Sequence, residues 1–92
     1  SGGVFLAGDP ITGQRWKLRL SSIREERIVE LGGGRFFACC DFEEVDGEGK
    51  LDIDFYARHT EHGWRVEEYF IHSVDGRRRF NYDKAHRRVP AR

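Results

Sequence analysis

The sequence has no methionine, only two prolines and two cysteines, no net charge and no long apolar run. Each shortage excludes something. No stretch approaches the ~20 apolar residues that a membrane-crossing helix needs, so no membrane span is expected and the chain reads as soluble. The two cysteines are neighbours, Cys39 and Cys40, without CxxC or zinc-finger spacing, which excludes a disulfide framework. Adjacent strand residues point to opposite faces, and a bond between them would need a strained turn. They read as simple thiols, at least one in the core, with a vicinal redox disulfide or a soft-metal site as alternatives. Zero net charge argues against a nucleic-acid binder, which normally carries a basic excess. With no methionine and a start at Ser1-Gly2-Gly3, residues 1–3 are expected to be a tag remnant or truncated end. That leaves a lost export signal open.

What is present is aromatic and charged. Seven Phe, three Tyr and two Trp supply a core of large rings, enough to argue against disorder although 35% of residues are charged. Ninety-two residues make one domain, 1–92, with a thin stability margin. The charges are segregated. Asp41, Glu43, Glu44, Asp46, Glu48, Asp52 and Asp54 face only Lys50 within residues 41–54. Residues 74–92 are rich in arginine, and 85–92 are expected to be a flexible basic tail.

Period-two alternation dominates. Val4-Phe5-Leu6 reads as a short strand, Asp9-Pro10-Ile11-Thr12-Gly13 as a turn, and Trp16, Leu18 and Leu20 as one face of a second strand. Residues 22–31 fit either a capped helix or a strand, with the strand favoured over Arg27–Leu31. From residue 35 a meander is predicted. A four-residue loop 46–49 puts Phe42 opposite Ile53, Cys40 opposite Phe55 and Ala38 opposite Ala57. A loop at Thr60–Gly63 puts Ala57 beside Val66 and Ile53 beside Phe70. Asp75-Gly76 is a strong two-residue hairpin signal, placing Ile71 opposite Phe80 and Tyr69 opposite Tyr82. One face then carries Phe36, Ala38, Cys40, Phe42, Ile53, Phe55, Ala57, Trp64, Val66 and Phe70, closed over by Trp16, Leu18 and Leu20. The fold class expected is mainly β: a small antiparallel meander forming a curled sheet, barrel or roll, with at most one short helix.

The opposite face holds the candidate sites. In this register Glu43 lies opposite Asp52 and Asp41 opposite Asp54, with Cys39 and Tyr56 next in line. Like charges directly opposite destabilise a sheet. Solvent and salt, the chain's own basic tail (Arg77–Arg79 or Arg87-Arg88), or a divalent cation bound by Asp41, Glu43, Asp52 and Asp54 are the three offsets. Tyr69, Ile71, Phe80 and Tyr82 come further along that face, either as a second small core under a terminal segment or as an exposed patch for a partner or flat ligand. Glu68 is placed on the apolar face beside Phe55, or at a sheet edge reaching solvent or Arg79. Glu68, Tyr56, Tyr69, Tyr82 and Arg79 are therefore the candidate ligand-binding residues. His59 and His62, close to a loop tip, and His72 on a strand lack an identifiable catalytic partner. The three glycines Gly32–Gly34 are followed by no P-loop lysine. No cofactor is expected.

The segments Arg35–Phe42, Asp52-Ile53-Asp54-Phe55 and Ile71–Phe80, with Val4-Phe5-Leu6 and Asp9-Pro10, resemble small uncharacterised exported bacterial β-rich proteins. The resemblance implies a periplasmic or exported location rather than a cytoplasmic one, and implies no activity. Without a catalytic constellation, the expectation is a non-catalytic binding or protein-interaction module, with self-association through a sheet edge as one route. The alternative is a pocket protein for a small ligand or divalent metal, with enzymatic chemistry left open.

Overall fold

The computed structural model describes residues 3–85 and 87–90. Among them the strands are β1 (Val4–Gly8), β2 (Arg15–Ile23), β3 (Val29–Gly32), β4 (Arg35–Glu44), β5 (Lys50–Thr60), β6 (Gly63–Val74), β7 (Arg77–Arg78), β8 (Phe80–Tyr82) and β9 (Arg88–Pro90). A single 3-10 turn, Glu25–Arg27, is the helical element of the described chain. The first seven strands form one antiparallel sheet in the order β1-β2-β4-β5-β6-β7, with β3 also on β4, and the sheet curls into a half-barrel. The curled antiparallel architecture expected from the alternation is thus borne out. No helix among the described residues is long and apolar enough to cross a membrane.

The concave face is the core. Ala7, Trp16, Leu18, Cys40, Phe42, Leu51, Ile53 and Ile71 are buried there, and Phe5, Phe55, Tyr69 and Val74 pack against them. Phe5 sits at the centre of an aromatic group, with ring centroids 5.2 Å from Tyr69, 5.6 Å from Phe55 and 5.7 Å from Phe42. Trp64 and Val66, expected in this core, lie at its open end and are 62% and 55% exposed. Among the described residues the ring neighbours of Trp64 there are Phe36 and His59.

Two corrections to the expected pairing matter for function. First, the β4–β5 register is displaced by two residues: Phe42 pairs with Leu51, Cys40 with Ile53 and Ala38 with Phe55. Glu44 turns inward at the hairpin, accepting the Gly49 N–H at 3.2 Å, so the connection is longer than four residues. Because the shift is even, every side chain keeps its face. Second, β6 carries two bulges against β5, at Glu67 and at His72. Each extra residue exchanges the faces of the residues beyond it on the strand. Tyr69 and Ile71 therefore enter the concave core, while Phe70 pairs with Asp54 and turns to the convex side.

Asp75-Gly76 forms the expected tight turn, with φ of 50° and 83°. These are the paired positive dihedrals of a type I′ hairpin. The ladder it starts ends early. Ser73 pairs with Arg78 and Val74 with Arg77, and then the chain leaves the sheet. Phe80 and Tyr82 do not face Ile71 and Tyr69; they pair with Pro90 and Arg88 in a separate two-stranded hairpin. Arg88–Pro90, expected within a flexible tail, is thus a strand.

Candidate functional site

The β8–β9 hairpin packs against the convex side of the sheet and builds a second aromatic cluster. Phe80 stacks on His72 with centroids 4.6 Å apart, Tyr82 meets Phe37 edge-on at 5.4 Å, and the Arg88 guanidinium lies 3.5 Å from the Phe70 ring centre. Tyr56 is buried between Phe37 and Phe70. The convex face is therefore a covered one around Asp54.

The acidic residues divide into three environments. Glu43 is exposed and pairs across the ladder with Lys50, not Asp52, so it takes no part in an acidic site. Asp41 and Asp52 are cross-strand partners. A bulge at Ser21 in β2 turns Ser22 and Arg24 over them. Ser22 Oγ donates to Asp41 at 2.8 Å, and the Arg24 guanidinium makes two hydrogen bonds to Asp41 and reaches Asp52 at 3.7 Å. The hydrogen bond shared with Asp52, together with Arg24, holds Asp41 down to about 2, while burial and the neighbouring Asp41 push Asp52 up. Among the described residues the cation paired with these two acids is Arg24. Arg24→Ala is expected to cost about 1 kcal/mol by urea denaturation, a modest loss because water screens these partly exposed partners. Asp52→Asn in the same chain should recover part of it. An unchanged midpoint in Arg24→Ala would mean that solvent alone offsets the two acids.

Asp54 is the third environment and the most unusual. Its side chain is fully buried at the centre of β5, opposite Cys39. One carboxylate oxygen, Oδ2, accepts the Tyr82 hydroxyl at 2.7 Å and lies 2.9 Å from His72 Nδ1. The other, Oδ1, has no hydrogen-bond partner among the described residues. Burial opposes ionisation, but the contacts from His72, Tyr82 and Cys39 outweigh it and hold Asp54 below the usual carboxylate range. Burial and then Asp54 push the Cys39 thiol up to about 12, and the same two causes raise the Tyr82 phenol. Cys39 and Cys40 are both free and buried, one on each face of β4.

Among the described residues, Cys39, Asp54 and His72 are the group of His, Cys, Asp or Glu whose ligand atoms all lie within 4.8 Å of one another. The four carboxylates expected to hold a metal do not converge, and Asp54 alone of them belongs to this group. Cys39 and His72 were not placed with those carboxylates, although a soft-metal site was one alternative for the cysteines. The corrected register puts Cys39 across from Asp54, and the bulge swings His72 towards it.

A separate cleft of about 590 Å³ opens on the other side of the hairpin. Its walls are apolar: Pro10 and Ile11 from the β1–β2 turn, Tyr69, Phe70 and Ile71 from β6, and Phe80. Asp9 and Arg79 also line it, joined by two hydrogen bonds of 2.7 and 2.8 Å. Asp9 also accepts from Ile11 N–H and from Trp16 Nε1. Arg79 foremost, reinforced by these donors, holds Asp9 far below the usual carboxylate range.

Of the five candidate ligand residues, Tyr69 and Arg79 line this cleft. The Tyr69 hydroxyl accepts Gly8 N–H at 3.1 Å, and Arg79 is committed to Asp9. Tyr56 and Tyr82 belong to the convex cluster instead. Glu68 is an exposed residue paired with Tyr56, in keeping with the reading that has it reach solvent, and not a desolvated carboxylate beside Phe55. The bulge at Glu67 is the reason. His62 pairs with Glu61 in solvent, and His59 lies against Trp64. No family model, curated protein or solved structure matches this chain.

Proposed function

We propose that this domain is a non-catalytic binding module whose ligand is a small amphipathic anion, a flat apolar body carrying a carboxylate. The cleft walled by Pro10, Ile11, Tyr69, Phe70, Ile71 and Phe80 carries this reading. Its volume, about 590 Å³, is in the range of small-molecule sites, and its lining is largely apolar with a few polar groups. Arg15 and Arg88 are exposed residues of that lining, and neither has a carboxylate partner among the described residues. Arg79 is neutralised by Asp9, so the anion's counter-charge falls to the other two.

The test is a calorimetric titration of the full chain with 1-naphthoate and, in parallel, with the uncharged 1-naphthalenemethanol. The carboxylate should bind more tightly than the alcohol, and Arg88→Gln should weaken it about tenfold, the loss of one charge-assisted contact. Ile11 is 70% exposed on the cleft wall, so Ile11→Glu should leave the fold intact and repel the ligand. Equal affinity for acid and alcohol, or full affinity in Ile11→Glu, would remove the proposal.

A further inference from the structure

We propose that Cys39, Asp54 and His72 form a second, independent site for a zinc-type divalent ion, with its fourth position opening to a pocket beneath the 3-10 turn. Three observations converge on it. The ligand atoms of the three residues already lie within 4.8 Å of one another. In a tetrahedral zinc site, bonds of about 2.0–2.3 Å put neighbouring ligand atoms roughly 3.3–3.8 Å apart, a spacing that small side-chain rotations reach from here. Asp54 is fully buried, and its Oδ1 is the buried side-chain oxygen left without a partner among the described residues. Such an oxygen costs free energy unless something positive meets it. Finally, a pocket of about 310 Å³, bordered by Glu26, Arg27, Val29 and Tyr82, gives access to all three ligands.

The surroundings act as a supporting shell. Tyr82 donates to Asp54 Oδ2, which orients the carboxylate and leaves Oδ1 for the metal. The His72 ring is clamped by the Phe80 stack. His72 occupies a β-bulge, and bulges re-aim side chains at sites of this kind. The donor set decides the ion: a thiolate with an imidazole favours zinc, cobalt, nickel or copper over magnesium and calcium. Binding as a thiolate would release the Cys39 thiol proton, so affinity should rise with pH. The arginines near this face oppose a cation, but Arg24 is engaged by Asp41 and Asp52.

Cobalt(II) titration of the full chain tests the proposal optically. One equivalent should produce a thiolate-to-cobalt charge-transfer band with the intense visible bands of tetrahedral cobalt, and zinc should abolish both while magnesium and calcium do not. Cys39→Ser should lose the charge-transfer band, and His72→Gln should weaken binding at least about tenfold. Cys40→Ser, whose thiol lies on the opposite face, should retain the full spectrum. No band in the native chain would overturn the site. So would a band that survives Cys39→Ser, or one that Cys40→Ser removes while its circular dichroism stays native.

Discussion

Asp54→Ala is expected to lower stability by about 3–5 kcal/mol and to detach the β8–β9 hairpin from the sheet. The magnitude comes from the groups that the substitution strands. His72 and Tyr82 are both aimed at Asp54 Oδ2, and the hairpin's other contacts with the sheet include ring contacts, one cation–π pair and an exposed Arg78–Asn81 hydrogen bond at 3.3 Å. Removing the acceptor leaves a phenol and an imidazole under cover without their partner, which is costlier than never having built the group. A domain of this length has about 5–14 kcal/mol in total, so Tm should drop by at least about 12 °C. Asp54→Asn keeps an acceptor for Tyr82 and should lose less. The pH dependence has a definite sign. The folded state holds Asp54 below its unfolded value of about 3.9, so its contribution is complete above that pH and is lost as pH falls through the lower, folded value. Urea melts between pH 2 and 7 should therefore show a shallower acid limb in Asp54→Asn than in the native chain. A loss below about 1 kcal/mol in Asp54→Ala would show that the buried contacts do no more than offset the desolvation of the carboxylate.

Alternation and turn chemistry made the sheet legible because both are local. Trp16, Leu18 and Phe42 had to share a face whatever the connections did, and Asp75-Gly76 could adopt few structures besides a tight hairpin. The β4–β5 shift escaped because Glu44 behaves as a loop residue through a contact with Gly49 that composition does not reveal. An even shift spared the apolar face yet moved the acids, bringing Asp41 opposite Asp52 and Cys39 opposite Asp54. The bulges were illegible for a different reason. Ser21, Glu67 and His72 are polar residues that no turn residue marks as bulges, and distant partners hold the bulged strands in place: Asp41 through Ser22 and Arg24, Arg35 and Arg58 on Glu67, Asp54 on His72. One signal did exist. Tyr69, Phe70 and Ile71 are three consecutive large apolar residues, which a strand with one wet face cannot accommodate. They imply that β6 is covered on both sides, as it is, by the core on one and the hairpin on the other. Asp9 shows the same limit of local reasoning. Asp9-Pro10 reads correctly as a turn, but the partner that decides its chemistry, Arg79, is 70 residues away.

That pair supplies the other large effect. Asp9→Ala and Arg79→Met are each expected to cost about 3–5 kcal/mol, and the double variant much less than their sum. Asp9 is fully buried by side chain and Arg79 is 18% exposed, so each single change leaves a covered charge unopposed. The double change leaves none. The coupling should be at least about 2 kcal/mol in a urea double-mutant cycle, and strict additivity would mean that solvent reaches the pair and screens it. The sign with pH matches that of Asp54: Asp9 is held well below its unfolded value of about 3.9, so the stability it contributes is intact at neutral pH and disappears as the solution becomes strongly acidic. The pair also ties stability to ligand choice. Asp9 occupies the guanidinium that would otherwise present a third positive charge to the apolar cleft. Asp9→Asn retains an oxygen for Ile11 N–H while releasing Arg79 from its counter-ion. In chains still folded at neutral pH, this variant should bind 1-naphthoate more tightly than the native protein and the neutral alcohol no better. If both ligands gain equally, the cleft has merely loosened, and Arg79 plays no electrostatic part in what it binds.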